Sequence, residues 1–434
     1  MKLTLKLTAA FLVFAGAIAL ILTADPQTLP DRGTIVSASA TGSGTWASAE
    51  AAYIERITRE PSDADTYVDL AQLYLAQSRR TADEIRYVPM ARAQLERALE
   101  LDADHYRARV LRGTLLNKLH QFEQAEDLAR ELIAEHPGHA YNYGTLVDAL
   151  VELGRYEEAI EAADQMLARR PDLSSYSRAS YIRELIGDGD GAIRAMELAA
   201  EAGAIGSEGR SWAIYQLAEL AIGEEDFQAA ERLLNGLVEE APGYAHALAG
   251  FARLRLVEGQ ISEAGRFIME AMALAPGAGF EELAAEIHLA AGDAAAADKA
   301  TDAVLDGLNE ASAMGENVRM ELADLFADTD QRLDEALWLA SLEVARRPDH
   351  LHANETYAWV LHKLGRSEHA VEYIDRARRF DNGDGKATFR AGHIYLGAGR
   401  IDQGYALLQQ SLDEGLYLES PSAAAEAGEL LAGR

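Results

Sequence analysis

Residues 154–171 read GRYEEAIEAADQMLARRP, and this stretch decides the fold. A glycine opens it, apolar residues recur at three- and four-residue spacing through it, and Pro171 closes it. That spacing is typical of one face of an amphipathic α-helix, and glycine and proline commonly mark helix ends. The stretch therefore predicts a helix with one buried face.

The same arrangement returns along the chain. Pro137 precedes Pro171 by 34 residues, and a second pair, Pro242 and Pro276, has the same spacing. Each interval holds two amphipathic segments joined at a glycine. No run of alternating β-branched residues is long enough to predict a strand. The sequence therefore predicts an all-α fold made of repeated helix hairpins.

This pattern resembles the tetratricopeptide repeat family, whose units are 34-residue helix hairpins. In the clearest copy the family's signature positions hold Tyr143, Leu146, Leu150, Gly154, Tyr156, Ala159, Met166 and Pro171. The resemblance covers about residues 47–430, with roughly nine full units, and is closest to bacterial-type, extracytoplasmic members. It implies a right-handed superhelical solenoid whose concave groove holds peptides or protein tails.

The N-terminus predicts a targeting segment. Lys2 and Lys6 precede an apolar run from Leu7 to Ala24, so residues 1–24 are expected to be a signal peptide or an N-terminal membrane anchor. The positive end should stay in the cytoplasm, which places the rest outside. We expect a periplasmic or otherwise extracytoplasmic protein, with residues 7–24 either removed or anchored in the inner membrane.

The remaining chain divides into three parts. Residues 25–46 are rich in Gly, Ser and Thr and predict a flexible linker. Residues 47–310 predict the main repeat array, and residues 311–434 predict further repeats. The boundary rests on an Ala-rich unit that lacks its proline, where we expect a flex point near residues 305–318. The first unit also carries an insertion of about eight residues relative to the 34-residue unit.

Composition excludes several functions. A formal net charge of −31 argues against nucleic acid, because a phosphate backbone would be repelled. The absence of cysteine rules out disulfides and thiolate zinc sites. No zinc-protease, phosphate-loop or hydrolase signature is present, so the sequence predicts neither an enzyme nor a bound cofactor. Residues 188–191 (DGDG) look calcium-like, but their position predicts a turn between helices.

The first helix of each hairpin is expected to line the concave groove. On that face the sequence places eight candidate partner-binding residues: Trp212, Tyr215, Trp359, His362, Lys363, Lys386, Arg390 and His393. Cations that flank aromatic rings suit an acidic peptide or a C-terminal carboxylate.

Some family members clamp a peptide carboxylate with cations at the places held here by Lys386 and Arg390. The other half of that clamp is absent, because Glu321, Leu325 and Thr356 stand where Lys or Asn is expected. The resemblance to the clamp is therefore partial.

These features favour a protein-interaction scaffold outside the cytoplasmic membrane. The cations on the groove favour an acidic protein or peptide partner, and membrane contact is expected only through the N-terminal segment. Two alternatives stay open. Five of the eleven histidines fall between His350 and His393, which would suit a metal- or small-ligand-binding receptor. The acidic outer face would suit a structural subunit of an envelope assembly. For the histidines themselves, solvated surface is the simpler interpretation, and no metal site is predicted.

Overall fold

The computed structural model describes residues 43–81, 83–276 and 279–434. The expected targeting segment, and the linker up to residue 42, lie outside these residues. Among the helices that the structure describes, none combines the length and apolarity needed to cross a membrane.

The described residues are all-helical, as predicted, and contain 23 helices. In chain order they are α1 (Ser43–Arg59), α2 (Ala64–Thr81), α3 (Glu84–Leu101), α4 (Tyr106–Lys118), α5 (Phe122–Glu135), α6 (Ala140–Glu152), α7 (Tyr156–Arg169), α8 (Leu173–Leu185), α9 (Gly189–Ala202), α10 (Glu208–Gly223), α11 (Phe227–Glu240), α12 (Ala245–Val257), α13 (Ile261–Leu274), α14 (Glu281–Ala290), α15 (Ala294–Ala313), α16 (Arg319–Asp328), α17 (Leu333–Arg346), α18 (Leu351–Lys363), α19 (Ser367–Ala377), α20 (Gly385–Gly397), α21 (Ile401–Asp413), α22 (Leu416–Glu419) and α23 (Pro421–Ala432).

Helices α2 to α21 pair into ten antiparallel hairpins within the described chain, in which even-numbered helices come first. The prediction of about nine units falls one short, because the units after Pro276 lack regularly spaced prolines. The predicted insertion in the first unit lengthens helices instead of forming a loop: α2 and α3 have 18 residues each, with Pro89 inside α3.

Local sequence explains the helix boundaries. Helix α7 follows Gly154, whose φ of 77° ends the preceding turn, and it stops just before Pro171. Helix α9 begins after Asp188, whose side chain accepts a hydrogen bond from the Gly191 N–H at 3.1 Å. That cap satisfies an otherwise unpaired amide at the helix N-terminus. The predicted turn between helices is therefore displaced: Ile186 and Gly187 form the turn, and DGDG supplies the N-cap and the first three residues of α9.

The solenoid returns on itself after eleven helices. Four consecutive hairpin turns of the first superhelical turn face four loops between later hairpins. The turn α4–α5 faces the loop α15–α16, α6–α7 faces α17–α18, α8–α9 faces α19–α20, and α10–α11 faces the α21–α22 connection. We call this line of contacts the seam.

Hydrogen bonds define the first half of the seam. The Asn317 N–H donates to the Leu119 carbonyl at 3.1 Å. The Arg347 guanidinium donates to the Glu152 carbonyl at 3.2 Å, across 195 residues of sequence. The Leu351 N–H donates to the Tyr156 hydroxyl at 3.1 Å. One of these hydrogen bonds joins backbone to backbone, and the other two join a side chain to the backbone across the seam.

Close backbone approach defines the second half. A Cβ atom on Gly187 would lie 3.3 Å from Asn382 Cα. Further along, Leu418 packs into the apolar core formed by α10 to α12, and its carbonyl accepts a hydrogen bond from Arg253 at 3.3 Å. These contacts hold the second superhelical turn against the first.

The predicted boundary at residues 310–311 falls within α15, and the division into two parts stays a prediction. Helix α15 buries one residue, Ala297, along its 20 residues. Directly after it, the Met314 carbonyl accepts a hydrogen bond from Arg92 at 2.9 Å. A weakly packed helix therefore leads into the first contact of the seam.

Candidate functional site

Three consecutive first helices, α16, α18 and α20, bring together five charged side chains. We call this group the inner cluster: Asp324, Asp328, Glu355, Lys386 and Arg390. Asp324 and Asp328 are four residues apart on α16, and Lys386 and Arg390 are four apart on α20. Each pair therefore shares one helix face.

Arg390 is the centre of the inner cluster. Its guanidinium contacts Asp324 at 2.7 Å, Asp328 at 2.9 Å and Glu355 at 2.9 Å, and its side chain is 1% exposed. Lys386 lies 3.4 Å from Asp328 and 3.7 Å from Asp324. The cluster thus satisfies its own charges.

The pKa values follow from this packing. Burial alone would raise the pKa of Asp324, but the Arg390 and Lys386 charges hold it well below its usual value. The same balance of burial against Arg390 and His352 lowers the pKa of Glu355 to about 2. Both carboxylates are therefore ionised at neutral pH.

Aromatic rings cover one side of the cluster. The Trp359 Nε1–H donates to Asp328 Oδ1 at 2.7 Å. The Trp359 ring is stacked on His362 at 5.1 Å between centroids, and Lys363 lies 5.0 Å from the Trp359 centroid. Trp359 is 6% exposed, so other groups of the same chain cover most of its ring.

His362 and His393 come together, as the sequence suggested. Their ring centroids are 6.0 Å apart, and Phe389 lies 4.5 Å from His393. Burial lowers the pKa of both histidines to about 4, with the His393 and Lys363 charges adding to the effect at His362. Within the part of the chain that the structure describes, no group of three or more His, Asp or Glu side chains is arranged to hold a metal ion.

Trp212 and Tyr215 lie elsewhere. Both are on α10 and belong to the apolar core of the first superhelical turn, which also contains Leu351 of α18. They are 4% and 8% exposed, and the Tyr215 ring contacts His246 at 5.5 Å. Of the eight predicted residues, two therefore lie in a buried core, two belong to the inner cluster, and four lie beside that cluster.

The clamp positions that differ from the family serve internal contacts. The Thr356 hydroxyl donates to Asp324 Oδ1 at 3.2 Å. The Glu321 carboxylate faces His120, a residue of the first superhelical turn, at 3.5 Å. These side chains complete the inner cluster and the seam.

Sequence reasoning found the cations of this site but missed the carboxylates that bind them. Lys363, Lys386 and Arg390 were expected to be available to an acidic ligand, whereas Lys363 pairs with Asp330 at 3.0 Å and the other two pair with the inner cluster. The spacing of Asp324 and Asp328 on a first helix was the signal that could have found them.

Glu282, on α14 of the first superhelical turn, is close enough to the inner cluster for the charges of Asp324, Asp328 and Lys386 to act on it. It is exposed to solvent, and among the described residues it has no hydrogen bond or ion pair. Its position deep in the concave surface, where neighbouring helices limit hydration, raises its pKa; the Lys386 charge lowers the pKa, and the Asp324 and Asp328 charges raise it. We call the concave surface that carries the inner cluster, Asp330 and Glu282 the inner face.

The accessible charge of the inner face is negative. The Asp330 and Asp328 side chains are 64% and 39% exposed, against 22% for Lys386 and 19% for Lys363. Five carboxylates, those of the inner cluster with Glu282 and Asp330, stand against three cations. A partner would meet carboxylates before it met ammonium groups.

Comparison with known proteins identifies the repeat. Tetratricopeptide repeat family models match residues 89–140, 116–180 and 221–287. The mouse (Mus musculus) tetratricopeptide repeat protein 21A is 28% identical over 127 residues, which make up 29% of this chain and 9% of that protein. The matched region is thus a small part of that relative's length.

Solved structures of low sequence identity are similar in part. PilW, a type IV pilus biogenesis factor, is 15% identical with a TM-score of 0.39 over 46% of this chain and 91% of its own. Pseudomonas aeruginosa PilF is 18% identical with a TM-score of 0.35 over 51% and 95%. Yeast Tom70 is 14% identical with a TM-score of 0.32 over 89% and 92%.

Proposed function

Because this chain is a tetratricopeptide repeat protein, we propose that it is a non-enzymatic scaffold that binds an extended segment of a partner protein on its inner face. Repeat solenoids use such concave surfaces to bind partners. The observation that carries the proposal is the set of exposed carboxylates on this face, where the Asp330 and Asp328 side chains are 64% and 39% exposed beside the inner cluster.

The accessible charges favour a basic partner segment over the acidic one expected from sequence. Arg390 is buried and fully paired, so it offers little to a ligand carboxylate. Asp330 and Glu282 remain exposed and could pair with lysine or arginine side chains. Opposite charges across an interface mainly give specificity and fast association, and their effect weakens with salt.

Synthetic peptide libraries test this proposal. Three libraries of about 15 residues would differ only at fixed positions that hold Lys, Gln or Glu, a length suited to an extended segment. We expect immobilised protein to enrich the Lys library at least about tenfold over the Glu library, equivalent to about 1.4 kcal/mol. Enrichment of no library would contradict the scaffold role, and equal enrichment of the Lys and Glu libraries would contradict the basic partner.

A matched pair of variants locates the binding. The double change Glu282→Gln with Asp330→Asn removes two accessible charges from the inner face. The control, Glu161→Gln with Asp164→Asn, removes two charges from the exposed side of α7. We expect the first pair to lower affinity for Lys peptides by about tenfold, and the second to leave it within about twofold, because exposed pairs contribute about 0.2–1 kcal/mol each.

We also propose that the array lies outside the cytoplasmic membrane. The support is the sequence pattern of Lys2 and Lys6 before the apolar run Leu7–Ala24. A phosphatase reporter that is active only outside the membrane, fused after residue 46, should be active in cells. Activity only after cell lysis would contradict this location.

A further inference from the structure

We propose that the seam is a reversible clasp: the second superhelical turn undocks from the first as a unit, pivots within α15, and assembles the inner face when it docks. The two walls of the inner face come from different superhelical turns, Glu282 from the first and the inner cluster from the second. On the same helix as Glu282, the Glu286 carboxylate accepts hydrogen bonds from Ser420 and Ser422 of the second turn at 2.9 and 3.0 Å. The separation of the two walls is therefore set by the state of the seam.

Part of the seam is polar and accessible to water. Arg346 forms an ion pair with Glu123 across it and donates to the His120 carbonyl at 2.9 Å. The Glu123 side chain is 50% exposed, so water can replace this pair readily. Polar interfaces between parts of one chain commonly permit relative movement.

The seam also contains buried charges, and these form ion pairs with one another. Arg347 contacts Glu152 at 3.2 Å and Glu343 at 3.0 Å, with all three side chains less than a tenth exposed. Removing one partner of a buried ion pair destabilises the protein, because the other charge is left buried alone. Forming the pair from two hydrated charges, by contrast, changes the free energy little. Undocking hydrates Arg347 and Glu152 together, so this pair does not lock the seam.

Apolar contacts favour the docked state. Leu418 is buried in the core of α10 to α12, and Phe380 contacts the Tyr156 ring at 5.5 Å between centroids. Burial of these side chains supplies a non-directional attraction. Docking should therefore predominate in the free protein, with undocking available when a neighbouring contact is removed.

The pivot follows from packing. Helix α15 buries Ala297 alone, whereas the following helix α16 buries Met320, Ala323, Phe326 and Ala327. A helix with few buried contacts opens or shifts at low free-energy cost. The expected flex point at residues 305–318 overlaps the end of this helix.

Docking and partner binding should be coupled, a consequence that rests on the proposed function. A segment that touches both walls binds the docked state better than the undocked state. It therefore shifts the population toward docking, and docking raises its affinity by the same factor. The clasp itself is independent of any partner.

The test measures the distance across the seam directly. The chain has no cysteine, so two can be introduced for spin labels without background. Gln124→Cys on α5 and Ala345→Cys on α17 are exposed positions next to the Glu123–Arg346 pair. Electron–electron resonance between the labels should give a single short distance in the otherwise unchanged protein.

Two glycines provide the perturbation and its control. Gly154 and Gly259 end the first helices of their hairpins with φ values of 77° and 75°. A Cβ atom on Gly154 would lie 2.4 Å from the His350 backbone nitrogen, across the seam, whereas one on Gly259 would meet nothing within 4 Å. Gly→Ala at both sites introduces the same local strain, but only Gly154→Ala obstructs docking.

We expect Gly154→Ala to shift most of the distance distribution to longer values, and Gly259→Ala to leave it unchanged, with equal helical circular dichroism. An unchanged distance in Gly154→Ala, or an equal shift in both variants, would overturn the clasp. If Gly154→Ala loses helicity, charge reversal decides: Arg346→Glu should lengthen the distance, and adding Glu123→Arg should restore it. Failure of that pair to change the distance would also overturn the proposal.

Discussion

Arg178 and Asp148 form a bidentate ion pair between α8 and α6, with both hydrogen bonds at 2.7 Å. Their side chains are 1% and 0% exposed. Burial raises the pKa of Asp148, and Arg178 opposes this rise. The Ser174 carbonyl accepts a further hydrogen bond from Arg178 at 3.0 Å. This fully satisfied pair fixes how two neighbouring repeats stack.

Removing one member should destabilise the array. Asp148→Ala leaves the Arg178 charge buried without its partner, and we expect it to lower the free energy of unfolding by about 3–5 kcal/mol. Urea denaturation measures the change in the free energy of unfolding. Hydrogen exchange in α6 to α9 shows whether the loss is local to this region. The double change Asp148→Leu with Arg178→Met should recover most of the loss, because apolar residues can replace a buried pair.

The exposed pair Arg266–Glu270, 3.0 Å apart on α13, is the control. Changing Glu270 to Ala should alter stability by no more than about 0.5 kcal/mol. Equal losses at Asp148 and Glu270 would contradict the importance of burial.

Acid should weaken the fold partly through His246. Burial lowers the pKa of His246 to about 4 from 6.5, so the unfolded state takes up a proton before the folded state does. Stability from this residue is therefore complete above pH 6.5 and is lost as pH falls toward 4. His246→Phe should reduce that loss by about 2–3 kcal/mol, at about 1.36 kcal/mol per pKa unit.

Thermal or urea unfolding at several pH values measures the effect. Above pH 7 the His246 side chain is neutral in both states, so wild-type and His246→Phe curves should run parallel there. If the stabilities of wild type and His246→Phe also fell in parallel between pH 6.5 and 4, His246 would not titrate as its burial implies.

Helix crossings should tolerate little added volume. Ala159 is fully buried where α7 crosses α6, and Ala159→Trp would overpack this crossing by about 1–3 kcal/mol. Hydrogen exchange should increase around residues 140–205 before the distant repeats respond, because stability in a solenoid is largely a sum of neighbour interfaces. Glu161→Trp, on the exposed side of α7, should leave exchange unchanged. A uniform increase along the chain in Ala159→Trp would contradict local control.

Local sequence was sufficient to predict the hairpins, because a helix boundary depends on nearby residues. Gly154, Tyr156 and Pro171 delimit α7 where the spacing placed it. The seam joins residues about 195 positions apart, such as Glu152 and Arg347, and no periodicity encodes that return. The sequence predicts one role for Gly154, which is to end a helix. The structure adds a second role, because Gly154 lies against the His350 backbone, where a Cβ atom would not fit.

For a related reason, the sequence points to the cations of the candidate site but not to its carboxylates. The sequence points to Lys386 and Arg390 because cations that flank aromatic rings on a concave face suit an acidic ligand, whereas Asp324 and Asp328 are two of 71 acidic residues. An abundant residue type gives little signal until the structure shows its partner. The sign of the accessible charge on the inner face depends on which side chains are exposed and which are paired. A sequence shows neither.

Photo-crosslinking tests the central claim, that a partner segment binds on the inner face. A benzophenone side chain at Ala285, three residues after Glu282 on α14, would share a helix face with Glu282. The same group at the exposed Ala295 on α15, the second helix of that hairpin, would face outward. With Lys-library peptides, we predict crosslinks from position 285 and few from position 295. Equal crosslinking at both positions, or crosslinking from position 295 alone, would contradict binding on the inner face.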